Sequence, residues 1–97
     1  MTTFDYIIVG AGSAGCVLAD KLSANGRHSV LLIEAGPSDR RFWVQTPIGY
    51  GATYTDPKVN WRFYSEAEAG LDNRKMYVPR GKVLGGSSSI NALVYHR

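Results

Sequence analysis

One cysteine and two histidines among 97 residues leave little material for a metal centre or a disulfide framework. Cys16 has no partner for an internal bridge, and no Cys or His stands at metal-ligand spacing from it. Long hydrophobic runs are missing as well. The uninterrupted apolar stretches Tyr6–Val9 and Val30–Ile33 fall far short of the about 20 residues that cross a bilayer. The opening Met-Thr-Thr-Phe-Asp lacks the basic stretch, apolar segment and cleavage site of a secretory leader, so a cytoplasmic location is expected. Charge of one sign is nowhere massed: the net +3 comes from scattered residues, with Arg40-Arg41, Arg74-Lys75 and residues 80–82 as local concentrations. No basic helix or block of like charge offers nucleic acid a surface.

What is present reads first as strand, helix and strand over residues 1–36. Tyr6-Ile7-Ile8-Val9, closed by glycine, suits a strand buried on both faces. Over 13–25, Ala14, Val17, Leu18 and Leu22 recur at intervals that place them on one stripe of a helix packed against the sheet. Asn25-Gly26 tolerates positive φ where that helix ends, and Val30–Ile33 supplies a second strand, parallel to the first through a right-handed crossover. From 37 to 75 the pattern dissolves among Pro37, Pro47, Gly49, Gly51 and Pro57, predicting an irregular excursion with room for one short helical turn. Within it Trp61-Arg62-Phe63-Tyr64 reads as a strand whose aromatics pack into a core. Residues 76–97 open on Met76-Tyr77-Val78, an edge strand limited by Pro79, and continue through a second glycine-rich stretch. There Ser87, Ser88 and Ser89 read as N-caps of a helix or extended segment over 90–95. The fold class is α/β: a Rossmann-type parallel sheet with a crossover helix and an extended covering segment.

Gly10-Ala11-Gly12-Ser13-Ala14-Gly15 sits where the first strand hands over to the helix. At such a junction Gly10 permits the tight turn, Gly12 lets the backbone approach a pyrophosphate, and Gly15 lets helix and strand pack closely. The free N–H groups at the helix start, including those of Ser13 and Ala14, then face the phosphate charge. Glu34 follows nineteen positions after Gly15, where an acidic side chain accepts hydrogen bonds from ribose hydroxyls and repels a 2′-phosphate. The combination predicts a dinucleotide other than NADP, with FAD and NAD both open on these residues alone.

Arg80-Gly81-Lys82-Val83-Leu84-Gly85-Gly86-Ser87-Ser88-Ser89-Ile90-Asn91 resembles the signature of the glucose-methanol-choline oxidoreductase family. The run Asp5 to Gly15, Glu34-Ala35-Gly36 and Asn60-Trp61 resemble that family's N-terminal pattern, so the likeness covers the whole chain. Within the family the sequence is most similar to bacterial alcohol and choline dehydrogenases. The resemblance implies FAD as cofactor and assigns Arg80, Gly81, Val83, Gly86, Ser87, Asn91, Ala92 and Val94, with Ala35, as contacts beside the first motif. Arg80 and Lys82 would add positive charge near phosphate or reduced flavin. Some relatives attach the flavin through a histidine where this chain has Ile90, which implies noncovalent FAD here. The implied reaction is hydride transfer from a small-molecule alcohol to flavin, giving an aldehyde or ketone. The catalytic base is a histidine farther along the family's chain, so no catalytic residue is expected in this segment, neither His28 nor His96. The partner of these residues is then the remainder of the same enzyme, since Tyr95-His96-Arg97 falls inside the signature. An FAD-containing lyase of the same family and an NAD-dependent dehydrogenase are the alternatives. Cys16, beside the third glycine, is expected to be a small buried residue.

Overall fold

Tyr6–Val9 forms β1 and Val30–Ile33 forms β2 in the computed structural model, which describes residues 2–96. Met1 and Arg97, the outer ends of the segments expected over 1–36 and 76–97, lie outside the described residues. The two strands are parallel, in register from Tyr6 opposite Val30 to Val9 opposite Ile33. Between them Ser13–Ser23 is α1, and Gly26, at φ +67°, donates its N–H to the Ser23 carbonyl (3.0 Å) to close the turn after it. The starts of the strands are pinned by Asp5, whose carboxylate accepts from the N–H (2.8 Å) and hydroxyl (3.1 Å) of Ser29. Those bonds, the backbone one first, lower the Asp5 pKa below its ordinary value of 3.8.

Only one face of this sheet is covered. Ile8 is 9% exposed beneath α1, while Ile7 and Val9, pointing the other way, are 60% and 83% exposed. The expected burial on both faces is therefore not met. The helix stripe fares likewise: Leu22 is half-buried, but Ala14, Val17 and Leu18 are exposed. The cause is width, because two strands about 5 Å apart cannot roof a helix about 10 Å across. Cys16 is exposed rather than buried, with its thiol donating to the Ala11 carbonyl at 3.3 Å.

The excursion is more helical than expected. Phe42–Gln45 (α2), a 3-10 turn at Pro47–Gly49 and Tyr50–Thr53 (α3) follow one another, where one turn was expected. Phe63–Tyr64 (β3) then pairs antiparallel with Tyr77–Val78 (β4), Phe63 opposite Val78 and Tyr64 opposite Tyr77. β3 is shorter than predicted because Arg62 takes a left-handed backbone (φ 53°), which ends the extended run after Trp61. With no second layer over this ribbon, Trp61, Phe63 and Tyr64 are exposed and not in a core. Trp61 stacks on Phe63 instead (centroids 5.9 Å apart), and the Lys82 ammonium lies 4.6 Å from the Trp61 ring centroid. The positive charge expected to serve phosphate or flavin at Lys82 is engaged there.

The apolar core lies between the excursion and the second glycine-rich stretch: Val59, Val83 and Ile90, with Val44 packed against them. Val83, predicted as a cofactor contact, is fully enclosed and belongs to this core. The serines do not cap a helix. Gly86–Ser89 is itself a 3-10 turn, and no regular element follows it among the described residues. Ser89 donates its hydroxyl to the Leu84 carbonyl (2.8 Å) and Ser87 Oγ accepts from the Gly81 N–H (3.0 Å), so their hydroxyls fold the bend onto itself.

Candidate cofactor-binding site

At the end of β1, Gly10 takes φ +100° and donates its N–H to the Ile33 carbonyl (2.7 Å), turning the chain into α1. Gly15 lies in the first turn of that helix, where a Cβ would fall 1.9 Å from the Gly10 carbonyl oxygen. Gly10 is thus demanded by the backbone conformation of the turn and Gly15 by the packing of helix on strand. Gly12, the N-cap, is different: a Cβ there would meet nothing within 4 Å. No side chain caps α1, and no acidic residue occupies its first turn. The helix start, with Ser13 and Ala14, therefore presents uncompensated N–H groups to open space.

Glu34 follows β2 and closes the turn from the side. Its Oε2 accepts from the Ala11 N–H (2.8 Å) and its Oε1 from the Gly36 N–H (2.9 Å). The carboxylate thereby ties the glycine turn to the end of β2, and each oxygen keeps a further lone pair. Ala35 beside it is exposed.

The second glycine-rich stretch is folded directly onto the first. Gly85 donates its N–H to the Ala11 carbonyl (2.7 Å), and the Ser13 and Ser88 hydroxyls are 2.8 Å apart. Gly86, at φ +64°, approaches so closely that a Cβ on it would lie 2.9 Å from Gly12 Cα. At its other edge Leu84 donates to the Pro37 carbonyl (3.1 Å). Gly10, Gly12, Ser13, Gly15, Glu34, Gly86 and Ser87 are thus brought around one corner. Arg80 is exposed at the mouth of the stretch, with one guanidinium N–H on the Pro79 carbonyl (2.9 Å) and Gly81 bridged to Asn60. Asn91, Ala92 and Val94 lie beyond the bend as exposed residues in an irregular tail. His28 packs edge-on against Tyr6 (5.3 Å) at the far end of β2, away from the glycine bends, and His96 is exposed in the tail.

Sequence reasoning passed over three members of this corner. Ala11 is fully buried and supplies the backbone carbonyl that holds Gly85; Ser88 bridges to Ser13; buried Asn60 holds the Arg80 segment. Each stood inside a quoted motif, Ala11 in the first glycine run, Ser88 in the second and Asn60 in the Asn60-Trp61 pair, but none was assigned to the site.

A parallel strand pair, an uncapped helix start between the strands and a carboxylate closing β2 define a dinucleotide-binding α/β unit. A family model described as GMC oxidoreductase matches residues 4–97, and the chain belongs to that family. It is 59% identical over 96 residues to an oxygen-dependent choline dehydrogenase of Photobacterium profundum, covering 99% of this chain and 17% of that protein. An alcohol dehydrogenase (acceptor) of Pseudomonas putida is 52% identical over 94 residues, with 97% of this chain and 17% of that one covered. Among solved structures, pyridoxine 4-oxidase from "Mesorbium loti" superposes with a TM-score of 0.86 at 38% identity, over 98% of this chain and 18% of that one. The family's enzymes depend on FAD. The residues present fit that group: no side chain caps the helix start and no acidic residue lies in its first turn, and the space above Gly12 is open to a diphosphate. Among the described residues, no helix is long and apolar enough to cross a membrane and no cluster could hold a metal.

Proposed function

We propose that these residues hold FAD, noncovalently, for an enzyme that oxidises the CH–OH group of a small alcohol to an aldehyde or ketone. The observation that carries this is the joining of the two glycine bends, Gly85 on Ala11 and Gly86 on Gly12, beside an uncapped helix start. The N–H groups of Ser13, Ala14 and Gly15 receive the diphosphate, and Gly12 leaves room for it. Glu34 offers its remaining lone pairs to the adenosine ribose hydroxyls while its two existing bonds hold it still. Gly81, Gly86 and Ser87, then Asn91, Ala92 and Val94, line the way along the rest of the cofactor, with Ala35 and Arg80 at its margins. Ile90, 8% exposed in the core, offers no side chain for a covalent flavin link. Bound FAD supplies the two-electron acceptor for the alcohol. These residues contribute binding and orientation, whereas the general base and the alcohol pocket belong to the remainder of the enzyme.

The name of the choline dehydrogenase relative supports a small alcohol as substrate, since 59% identity spans the whole cofactor corner. Anaerobic titration of the full-length flavoprotein with primary alcohols, choline included, checks it: the flavin absorbance bleaches as the alcohol is oxidised. A yellow protein that no alcohol bleaches points to the nonredox lyase chemistry instead, and a colourless one that takes up NAD removes the flavin assignment.

A further inference from the structure

Asn60, only 2% exposed, stands where the excursion turns toward β3. Its Nδ2 donates to the carbonyls of Thr53 (3.3 Å) and Tyr54 (2.8 Å), while its Oδ1 accepts from the N–H groups of Arg62 (2.9 Å) and Arg80 (3.2 Å). A carboxamide has two donors and one oxygen with two lone pairs, and here all are used. Two carbonyls on one side and two amides on the other cannot both be served by an acid or by an apolar side chain of the same size.

What Asn60 holds leads straight to the cofactor corner. Trp61 donates to the Arg80 carbonyl (2.9 Å) and Lys82 to the Val59 carbonyl (2.7 Å), with Asn60 opposite Gly81 in an antiparallel bridge. Gly81 lies against Gly86 and Ser87, where a Cβ on it would come within 2.2 Å of the Gly86 carbonyl carbon. Gly86 in turn lies on Gly12. The contacts form one continuous chain: the α3 turn, Asn60, Arg80-Gly81, Gly86-Ser87, then the start of α1.

We propose that Asn60 is a positioning residue for the flavin, whose Oδ1 fixes Arg80 and thereby sets the second glycine bend against the first before the cofactor arrives. Asn60 is enclosed and acts through Arg80 and Gly81 rather than by touching flavin. A bend set in advance spares FAD the ordering of that loop on binding. The inference rests on the reading of the joined bends as the flavin site.

The test uses the full-length enzyme, stripped of flavin and reloaded. Asn60→Asp keeps an oxygen facing the Arg80 amide but loses both donors; Asn60→Ala loses all four bonds. Both variants are expected to melt earlier than wild type. FAD affinity, read by flavin fluorescence quenching, should separate them: Asn60→Asp within about threefold of wild type, Asn60→Ala weaker by about tenfold or more. Asn60→Ala binding as tightly as wild type, or Asn60→Asp as weakly as Asn60→Ala, overturns the proposal. Amide exchange on wild-type apoprotein gives a reading that needs no variant. The Arg80 N–H should already be protected without FAD, and protection that arises only on adding FAD overturns the proposal equally. Wild-type protein that takes up no FAD would instead remove the underlying flavin assignment, so the two failures are told apart.

Discussion

Two glycines three positions apart in the first bend answer to different masters. A Cβ at Gly15 meets the Gly10 carbonyl oxygen at 1.9 Å, so Gly15→Ala must push α1 away from β1. An overpacked junction of this kind costs about 1–3 kcal/mol, and the thermal or urea midpoint of the full-length protein should fall accordingly. At Gly12 nothing lies within 4 Å, so Gly12→Ala should lower stability by no more than about 1 kcal/mol, through the poorer N-cap. Its effect belongs to the ligand: FAD binding should weaken by about tenfold, or about 1.4 kcal/mol. Equal stability losses with unchanged FAD affinity in both variants would contradict a diphosphate above Gly12. The contrast also marks what a sequence can carry. Gly10, Gly12, Gly15 and Glu34 were legible because turn geometry and phosphate approach require those residue types at that spacing. Asn60 and Val83 were not. A carboxamide bonded to carbonyls six and seven residues behind it and an amide twenty ahead has no local pattern, and a valine against core or cofactor is the same letter.

The two parallel strands owe their register to a pin at their starts. Asp5 accepts two hydrogen bonds from Ser29, while the N–H groups of Asp5 and Tyr6 return to the Ser29 carbonyl at 3.0 and 3.1 Å. These bonds favour the ionised carboxylate and hold its pKa below 3.8. A group with a depressed folded pKa stabilises the fold fully above its unfolded value and loses that contribution as pH falls through the folded one. The urea midpoint of wild type should therefore exceed that of Asp5→Ala by a constant margin between about pH 5 and 8. The margin should close as pH drops below 3.8. A gap that persists unchanged into stronger acid means the pin does not depend on charge. At this scale β1, α1 and β2 followed from periodicity, because each is decided by its own neighbours. The strands β3 and β4 were foreseen but not their pairing, and β3 is shorter than expected since a left-handed Arg62 is invisible in the residue letters. Burial of Trp61, Phe63 and Tyr64 depended on a covering layer, which no local pattern encodes.

The chain spans 17% of the choline dehydrogenase it matches, and its shape agrees with a part built to be covered. Its radius of gyration is 16.6 Å, with extents of 53 × 33 × 32 Å. A compact chain of this length would have a radius near 13 Å. Ile7, Val9, Val17 and Leu18 leave the outer sheet face and the helix flank bare at 51–83% exposure. Parallel sheets are stable when both faces are covered, and two strands with one helix cover one. The fully or nearly buried core of Val59, Val83 and Ile90 is far too small to offset the ordering of so long a chain. Residues 1–97 expressed alone should therefore bind an apolar dye such as ANS, melt without a cooperative transition and take up FAD weakly or not at all. The full-length enzyme should melt in a sharp transition that FAD raises, because a ligand bound only by the folded state stabilises it by mass action. In the isolated segment, the Gly85–Ala11 and Ser13–Ser88 contacts lack the support that keeps them closed, and amide exchange at Gly85 should be fast. A cooperative melt of 1–97 with one FAD bound per chain would mean the two glycine bends and their small core suffice, and the bare sheet face costs less than its exposure implies.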